Sequence, residues 1–248
     1  MAKIYLDPGH GGSDPGAVNG SRTEADDVLK MALAVGKLLQ AQGVEVKYSR
    51  TTDTSKKLAV RTSESNSWGA DYYLSIHRNS ASASATGNEI WVIRTATANT
   101  QSKAKTILDA VCAADGLRNR GVKCGAPSYN NFAVNRDTNC ASALLEMGFI
   151  SNTNDSAALD KNFDAIALGI AKALCSIVGV TYKTPNVAGD VNGDGKLTTA
   201  DAREALRAAV GLEDLTAAQK SKADVDGDGN VTTADAREIL RKATGLEK

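Results

Sequence analysis

The chain has 248 residues, 42% of them hydrophobic and 23% charged, enough to bury a sizeable core in one large domain plus a small one. Lysine plus arginine equals aspartate plus glutamate, 29 of each, so no charge excess points to nucleic acid, and no apolar run approaches the length that crosses a bilayer. The amino terminus runs from Met1-Ala2-Lys3 directly into the strand-like Ile4-Tyr5-Leu6, without the charged start, apolar segment and cleavage site of a secretory signal.

Strand-like runs at 3–7, 44–48, 72–77, 89–93 and 142–146 alternate with helix-like segments. This alternation predicts an α/β fold, a mixed and mostly parallel sheet covered by helices on both faces. In the first helix Val28, Met31, Ala32, Val35, Leu38 and Leu39 recur at helical spacing, and Gly43 marks the stop. Further covering helices are expected at 99–114 and 162–178, the latter ending at Gly179. The first domain is therefore read as 1–180 and a turn-prone linker as 181–188. The composition of 189–248 then changes to acidic loops alternating with alanine-rich helices. Of the four cysteines, Cys112 and Cys175 fall on predicted helices as small buried hydrophobes. Cys124 and Cys140 flank a loop and pair only if the compartment is oxidising.

The chain has just two histidines, each at the end of an apolar run that reads as a buried strand: Asp7-Pro8-Gly9-His10-Gly11-Gly12 and Leu74-Ser75-Ile76-His77-Arg78-Asn79. Imidazole is the usual nitrogen ligand of zinc, and these positions aim both rings at a cleft at the carboxyl ends of strands. A third ligand is required. Glu24 stands where the glycine-rich segment 11–20 gives way to the first helix, with Asp26 and Asp27 as competitors. Acidic residues in a first helical turn, however, ordinarily complement the helix dipole. Arg50, Asp53 and Arg61 are read as structural ion pairs. Asn79 and Ser80, directly after a histidine, are placed to orient it or to touch substrate.

Taken together, Asp7 to Gly12, Glu24, Ser75 to Ser80 and Leu145-Glu146-Met147-Gly148-Phe149-Ile150-Ser151-Asn152 occur in an order that resembles zinc-dependent N-acetylmuramoyl-L-alanine amidases of the amidase 3 type. The likeness spans residues 3 to about 178, including Ser49 to Asp53, Arg61 and Asn119 to Val122. It implies one zinc ion held by His10, Glu24 and His77, with Glu146 as the catalytic glutamate. Arg78, where many members carry a small residue, and Asn79 are the expected substrate contacts. Three protein ligands and one open position suit a catalytic zinc, and a glutamate at the end of an apolar strand suits a general base. The implied reaction is hydrolysis of the amide between the lactyl group of N-acetylmuramic acid and the L-alanine of the stem peptide. The alternatives are a zinc peptidase or deacylase acting on another amide, and a calcium-dependent adhesion protein that binds wall without cutting it.

The segment Asp190 to Glu204 recurs almost unchanged as Asp224 to Glu238. Calcium takes six to eight oxygens, and a twelve-residue loop supplies them from positions one, three, five, seven, nine and twelve around a glycine at six. The first loop offers Asp190, Asn192, Asp194, the Lys196 carbonyl, Thr198 and Asp201 around Gly195. The second offers Asp224, Asp226, Asp228, Asn230, Thr232 and Asp235 around Gly229, so two calcium ions are expected. With aspartate at position twelve and no helix before the first loop, residues 189–248 resemble a dockerin. That resemblance implies a cohesin-bearing scaffold or cell-surface partner, met through Thr199 and Ala200 or Thr233 and Ala234. Both halves carry the same dipeptide, which implies docking in either of two orientations. The expected location is extracellular or in the cell wall, reached by a removed signal or by the release used by a phage lysin.

Overall fold

In the computed structural model the described residues are 1–126, 130–184 and 187–246. Part of the loop between Cys124 and Cys140, part of the expected linker and the last two residues of the second module lie outside them. The chain forms two compact units, Met1–Tyr182 and Lys183–Lys248.

The first unit contains strands β1 (Lys3–Pro8), β2 (Val18–Asn19), β3 (Arg22–Thr23), β4 (Glu45–Tyr48), β5 (Tyr72–Asn79), β6 (Asn88–Val92), β7 (Asn119–Cys124) and β8 (Ala141–Phe149). Its helices are α1 (Glu24–Gln40), α2 (Leu58–Trp68), α3 (Ala98–Asp115), α4 (Ala133–Arg136) and α5 (Thr153–Ile177). Six strands make one sheet in the order β4-β1-β5-β8-β6-β7, and β2 and β3 pair as a separate small ribbon. Only the β6–β8 pairing within the six-stranded sheet is antiparallel, so the sheet is mixed and mostly parallel.

Side chains alternate across a strand, so one strand feeds two layers. Ile4, Leu6, Tyr72, Leu74, Ile76, Ala143 and Leu145 enter the main core with Val28, Met31 and Val35 of α1, Ile107 of α3 and Ile170 of α5. Their neighbours Tyr5, Tyr73 and Leu144 join Trp91, Val134, Trp68 and Phe132 in a smaller cluster on the opposite face, under α2 and α4. Helices therefore cover both faces, and a residue's parity decides which layer it meets.

Besides the short β2, β3 and α4, three longer elements depart from the sequence expectation. Helix α2 was not foreseen because its buried residues, Arg61, Thr62 and Ser65, are all polar and leave no apolar period to read. Strand β7 is a half-exposed edge strand of mixed polarity and is equally silent. Helix α5 starts at Thr153, not 162, with Asn152 accepting from the amides of Asn154 and Asp155 as its cap. The expected start coincides with a kink, where Asn162 leaves helical geometry at φ −111° and ψ 17°.

The second unit packs α6 (Thr199–Ala209), α7 (Ala217–Ala223) and α8 (Thr233–Ala243) around Val191, Ala202, Ala205, Leu215, Ala223, Ala236 and Ile239. Both α6 and α8 start with a capping box, Thr198 with Asp201 and Thr232 with Asp235.

Leu74 is completely buried on a central strand. Leu74→Ala should destabilise the first unit by about 2–5 kcal/mol, read as a lower urea midpoint.

Candidate metal centre and active-site cleft

The centre is assembled where β1 and β5 end and α1 begins. His10 follows β1 in the left-handed region, at φ 58°, an uncommon conformation for a residue with a Cβ. Glu24 is the first residue of α1, where a carboxylate is favoured by the helix dipole. His77 lies on β5. The Glu24 carboxylate receives the Ala17 amide on Oε2 and the Arg78 amide on Oε1, each at 2.9 Å. Its Oε1 also meets His77 Nδ1 at 2.9 Å and His10 Nε2 at 3.2 Å. One ligand atom from each of His10, Glu24 and His77 lies within 4.8 Å of the other two. Two nitrogens and a carboxylate oxygen, converging beside open space, are a donor set that could hold a metal ion.

Asp14, which the sequence reading passed over, holds the other nitrogen of His10: its Oδ2 lies 2.9 Å from His10 Nδ1. A carboxylate on the far nitrogen fixes ring orientation and tautomer, the usual support for a ligating histidine. The signal was the Asp14-Pro15-Gly16 turn, in which Asp14 Oδ1 also accepts the Gly16 amide at 3.1 Å. Burial opposes a charge on His10, but its hydrogen bonds to the Glu24 and Asp14 carboxylates outweigh it and raise the imidazole to about 9. Burial likewise opposes the Glu24 charge, and the two histidines overcome it, leaving that carboxyl far below its usual range. The centre is thus built to hold positive charge.

A cavity of about 590 Å³ opens over the centre, with His10, Glu24, His77, Asn79 and Glu146 in its lining and Phe132 and Val134 as an apolar side. Glu146 stands on β8 directly opposite His77 in the parallel register. Its Oε2 is buried and has no hydrogen-bond partner among the described residues. Burial pushes its carboxyl up to about 7, with Glu24 and Glu89 adding to the shift and His77 opposing it. A carboxyl poised there exchanges protons near neutral pH. Glu89, on the neighbouring strand, accepts from Asn79 Nδ2 at 3.0 Å and from Trp91 Nε1, Arg120 and Lys123. It was not foreseen, since a lone glutamate in an apolar strand carries no motif.

Arg78, expected as a substrate contact, is among the residues lining the cleft, but its side chain is buried. Strand alternation turns Arg78 to the face opposite His77, where its guanidinium is buried, pairs with Asp27 at 2.5 Å and donates to Ser156. Only its backbone serves the centre. Asn79 has the parity of His77 and does line the cleft. Arg61 forms the expected ion pair, 2.7 Å from Asp7. Arg50 does not: it donates to the carbonyls of Pro8, Gly9, Ala25 and Thr52. Asp53 instead accepts the Gly12 amide at 2.7 Å. All four cysteines are free thiols.

In the second unit the two loops share one backbone. Gly195 and Gly229, at position six, both take φ 87°, and Gly193 and Gly227 take 74° and 77°. The carboxylates of Asp224, Asp226 and Asp235 come within 4.8 Å of one another. In the first loop the buried Asp190 pairs with Lys222 Nζ at 2.9 Å. Thr199, Ala200, Thr233 and Ala234 are exposed on the first turns of α6 and α8.

Fold and site together define an α/β protein with three potential metal ligands gathered beside a cleft, a donor set that metal-assisted hydrolysis could use. The family model described as N-acetylmuramoyl-L-alanine amidase, Amidase_3, matches residues 4–176, and the chain belongs to that family. The dockerin type I domain model matches residues 188–242. The chain is 39% identical over 178 residues to N-acetylmuramoyl-L-alanine amidase CwlM of Bacillus licheniformis, covering 70% of this chain and 68% of that protein. A sporulation-specific N-acetylmuramoyl-L-alanine amidase of Bacillus subtilis is 38% identical over the same length, covering 70% and 67%. Among solved structures, the catalytic domain of CwlV from Bacillus (Paenibacillus) polymyxa superposes with a TM-score of 0.67 at 32% identity, over 73% of this chain and all of that one. An amidase of the same description from Clostridium difficile 630 gives 0.66 at 31%, over 72% and 97%.

Two glycines crowd the ligands. A Cβ on Gly9 would lie 2.3 Å from His77 Cε1, and one on Gly16 2.7 Å from both Glu24 Oε2 and His10 Cδ2. Gly20 has nearly the same positive φ as Gly16, 63° against 65°, with nothing within 4 Å of such a Cβ. Gly16→Ala and Gly9→Ala should therefore lose zinc on dialysis while Gly20→Ala keeps it, as measured by elemental analysis of the purified proteins.

Proposed function

We propose that the protein is a peptidoglycan hydrolase that cleaves the amide between the lactyl group of N-acetylmuramic acid and L-alanine. It uses one zinc ion held by His10, Glu24 and His77. The observation that carries this reading is the convergence of those three side chains beside a buried, unpartnered carboxylate, Glu146, in a chain that belongs to the amidase family. Zinc, when bound, supplies Lewis acidity and lowers the pKa of water to about 7.

The chain's own groups handle the proton. Glu146 Oε2 takes it from the water that attacks the amide carbonyl, then returns it to the departing nitrogen, which is a poor leaving group without it. Partial burial keeps the carboxyl near neutrality, so both transfers run at one pH. Asp14 holds His10 in orientation, and Asn79, tied to Glu89, faces the substrate.

Residues 183–248 supply attachment. Two calcium ions in the loops starting at Asp190 and Asp224, with Lys196 and Asn230 offering carbonyls, stabilise the module. The exposed pairs Thr199-Ala200 and Thr233-Ala234 meet a cohesin-bearing partner outside the cell or in the wall. Support comes from the shared glycine geometry of the loops and the match to dockerins. Among the described residues no helix is long and apolar enough to cross a membrane.

Glu146→Gln should lower turnover of muropeptides by roughly 10²–10⁴-fold while the protein retains its zinc. Mass spectrometry of digested sacculi locates the cut, and unchanged cleavage by this variant overturns the mechanism. A calcium-selective chelator should melt the second unit, seen as lost helical ellipticity, and leave hydrolysis intact. His10→Ala should do the reverse, abolishing zinc uptake with both calcium loops still filled.

A further inference from the structure

Two of the buried arginines, Arg50 and Arg61, are 4% and 3% exposed and lie beneath the ligand loop. We infer that they are positioning residues which lock the three ligand-bearing segments together and thereby set how tightly His10, Glu24 and His77 hold a metal ion. The inference rests on the metal reading above and adds what makes the site rigid.

Each guanidinium reaches a different pair of segments. Arg50 Nη2 bridges the carbonyls of Gly9 at 2.7 Å and Ala25 at 2.8 Å, joining the residue before His10 to the residue after Glu24. Arg61 Nη2 donates to the carbonyl of His10 itself at 2.7 Å. Its Nη1 donates to Asp7 Oδ1 at 2.7 Å, and the other Asp7 oxygen accepts from Ser75 Oγ at 2.8 Å, two residues before His77 on β5. Both arginines meet at one atom, the Pro8 carbonyl, at 3.1 Å from Arg50 Nε and 2.8 Å from Arg61 Nη1. The left-handed turn at His10 directs three successive carbonyls, from Pro8 to His10, into these forks. Because buried carbonyls need donors, the arginines both satisfy the loop and fix its shape.

Lysine keeps the charge but not the planar fork, so it cannot bridge two segments in fixed directions. If the arginines only stabilised the fold, Arg50→Lys and Arg61→Lys would lower the melting temperature of the metal-free protein and leave the zinc dissociation constant of the folded fraction unchanged. A positioning role instead raises that constant, by roughly 10- to 100-fold as for other groups that orient metal ligands. It also alters the visible spectrum of the cobalt-substituted protein.

The test is zinc competition against a chromophoric chelator in the full chain, with circular dichroism and thermal melting recorded on the same metal-free samples. Weakened zinc binding in variants still folded at the assay temperature supports the inference, and wild-type affinity in both overturns it. Should Arg61→Lys fail to fold, Ser75→Ala removes only the link from Asp7 to β5, and wild-type affinity in it and in Arg50→Lys overturns the inference equally. A wild-type chain that takes up no zinc refutes the metal reading itself, a result these variants cannot mimic.

Discussion

The Glu24 carboxylate is the contact on which the site depends. A buried carboxylate is costly unless it is paired and hydrogen-bonded, and this one is met by two backbone amides and two imidazoles. Those partners come from the loop after β1 and from strand β5. The carboxylate can be satisfied only when all of them are in place. Folding of the first unit and assembly of the centre are therefore one event, and the left-handed turn at His10 persists because its surroundings over-determine it.

Much of this was legible in the sequence, because the site lies on strands with strong apolar runs. The ends of β1 and β5 placed both histidines, and the run before Glu146 placed the carboxylate. Glu24 needed the family resemblance, since spacing alone left Asp26 and Asp27 open; the structure gives Asp26 to the Thr23 cap and Asp27 to Arg22 and Arg78. The burial of the Arg78 side chain follows from an elementary rule. Adjacent strand residues turn their side chains to opposite layers, so the Arg78 guanidinium leaves the face that His77 occupies. What stayed silent was polar and long-range. Helix α2 shows no apolar period, and the bonds that Arg50 and Arg61 make to the His10 loop cross dozens of residues to backbone atoms, which leave no trace in side-chain pattern.

The two units rest on different chemistry. The first buries a continuous core on both sides of a sheet and uses imidazole nitrogen at its centre. The second has a handful of buried alanines and branched residues, a core too small to be secure by itself, and relies on oxygen-rich loops. Nitrogen ligands favour zinc and all-oxygen loops favour calcium, so the two proposed sites would draw on different metals.

The capping boxes of α6 and α8 carry a consequence of their own. Asp201 and Asp235 close the twelve-residue loops and also accept from the amide and hydroxyl of Thr198 and Thr232, which start the helices. The exposed dipeptides proposed for docking come next in the chain, within the same helical turn. On the reading proposed above, the docking dipeptides adjoin the atoms that close the loop and start the helix, so ion binding, helix initiation and docking would be coupled, and by thermodynamic reciprocity whatever tightened one would tighten the others. A protein anchored in this way would sense the calcium of its surroundings through the strength of its own tether, and could be released from a scaffold with its wall-cutting domain still intact.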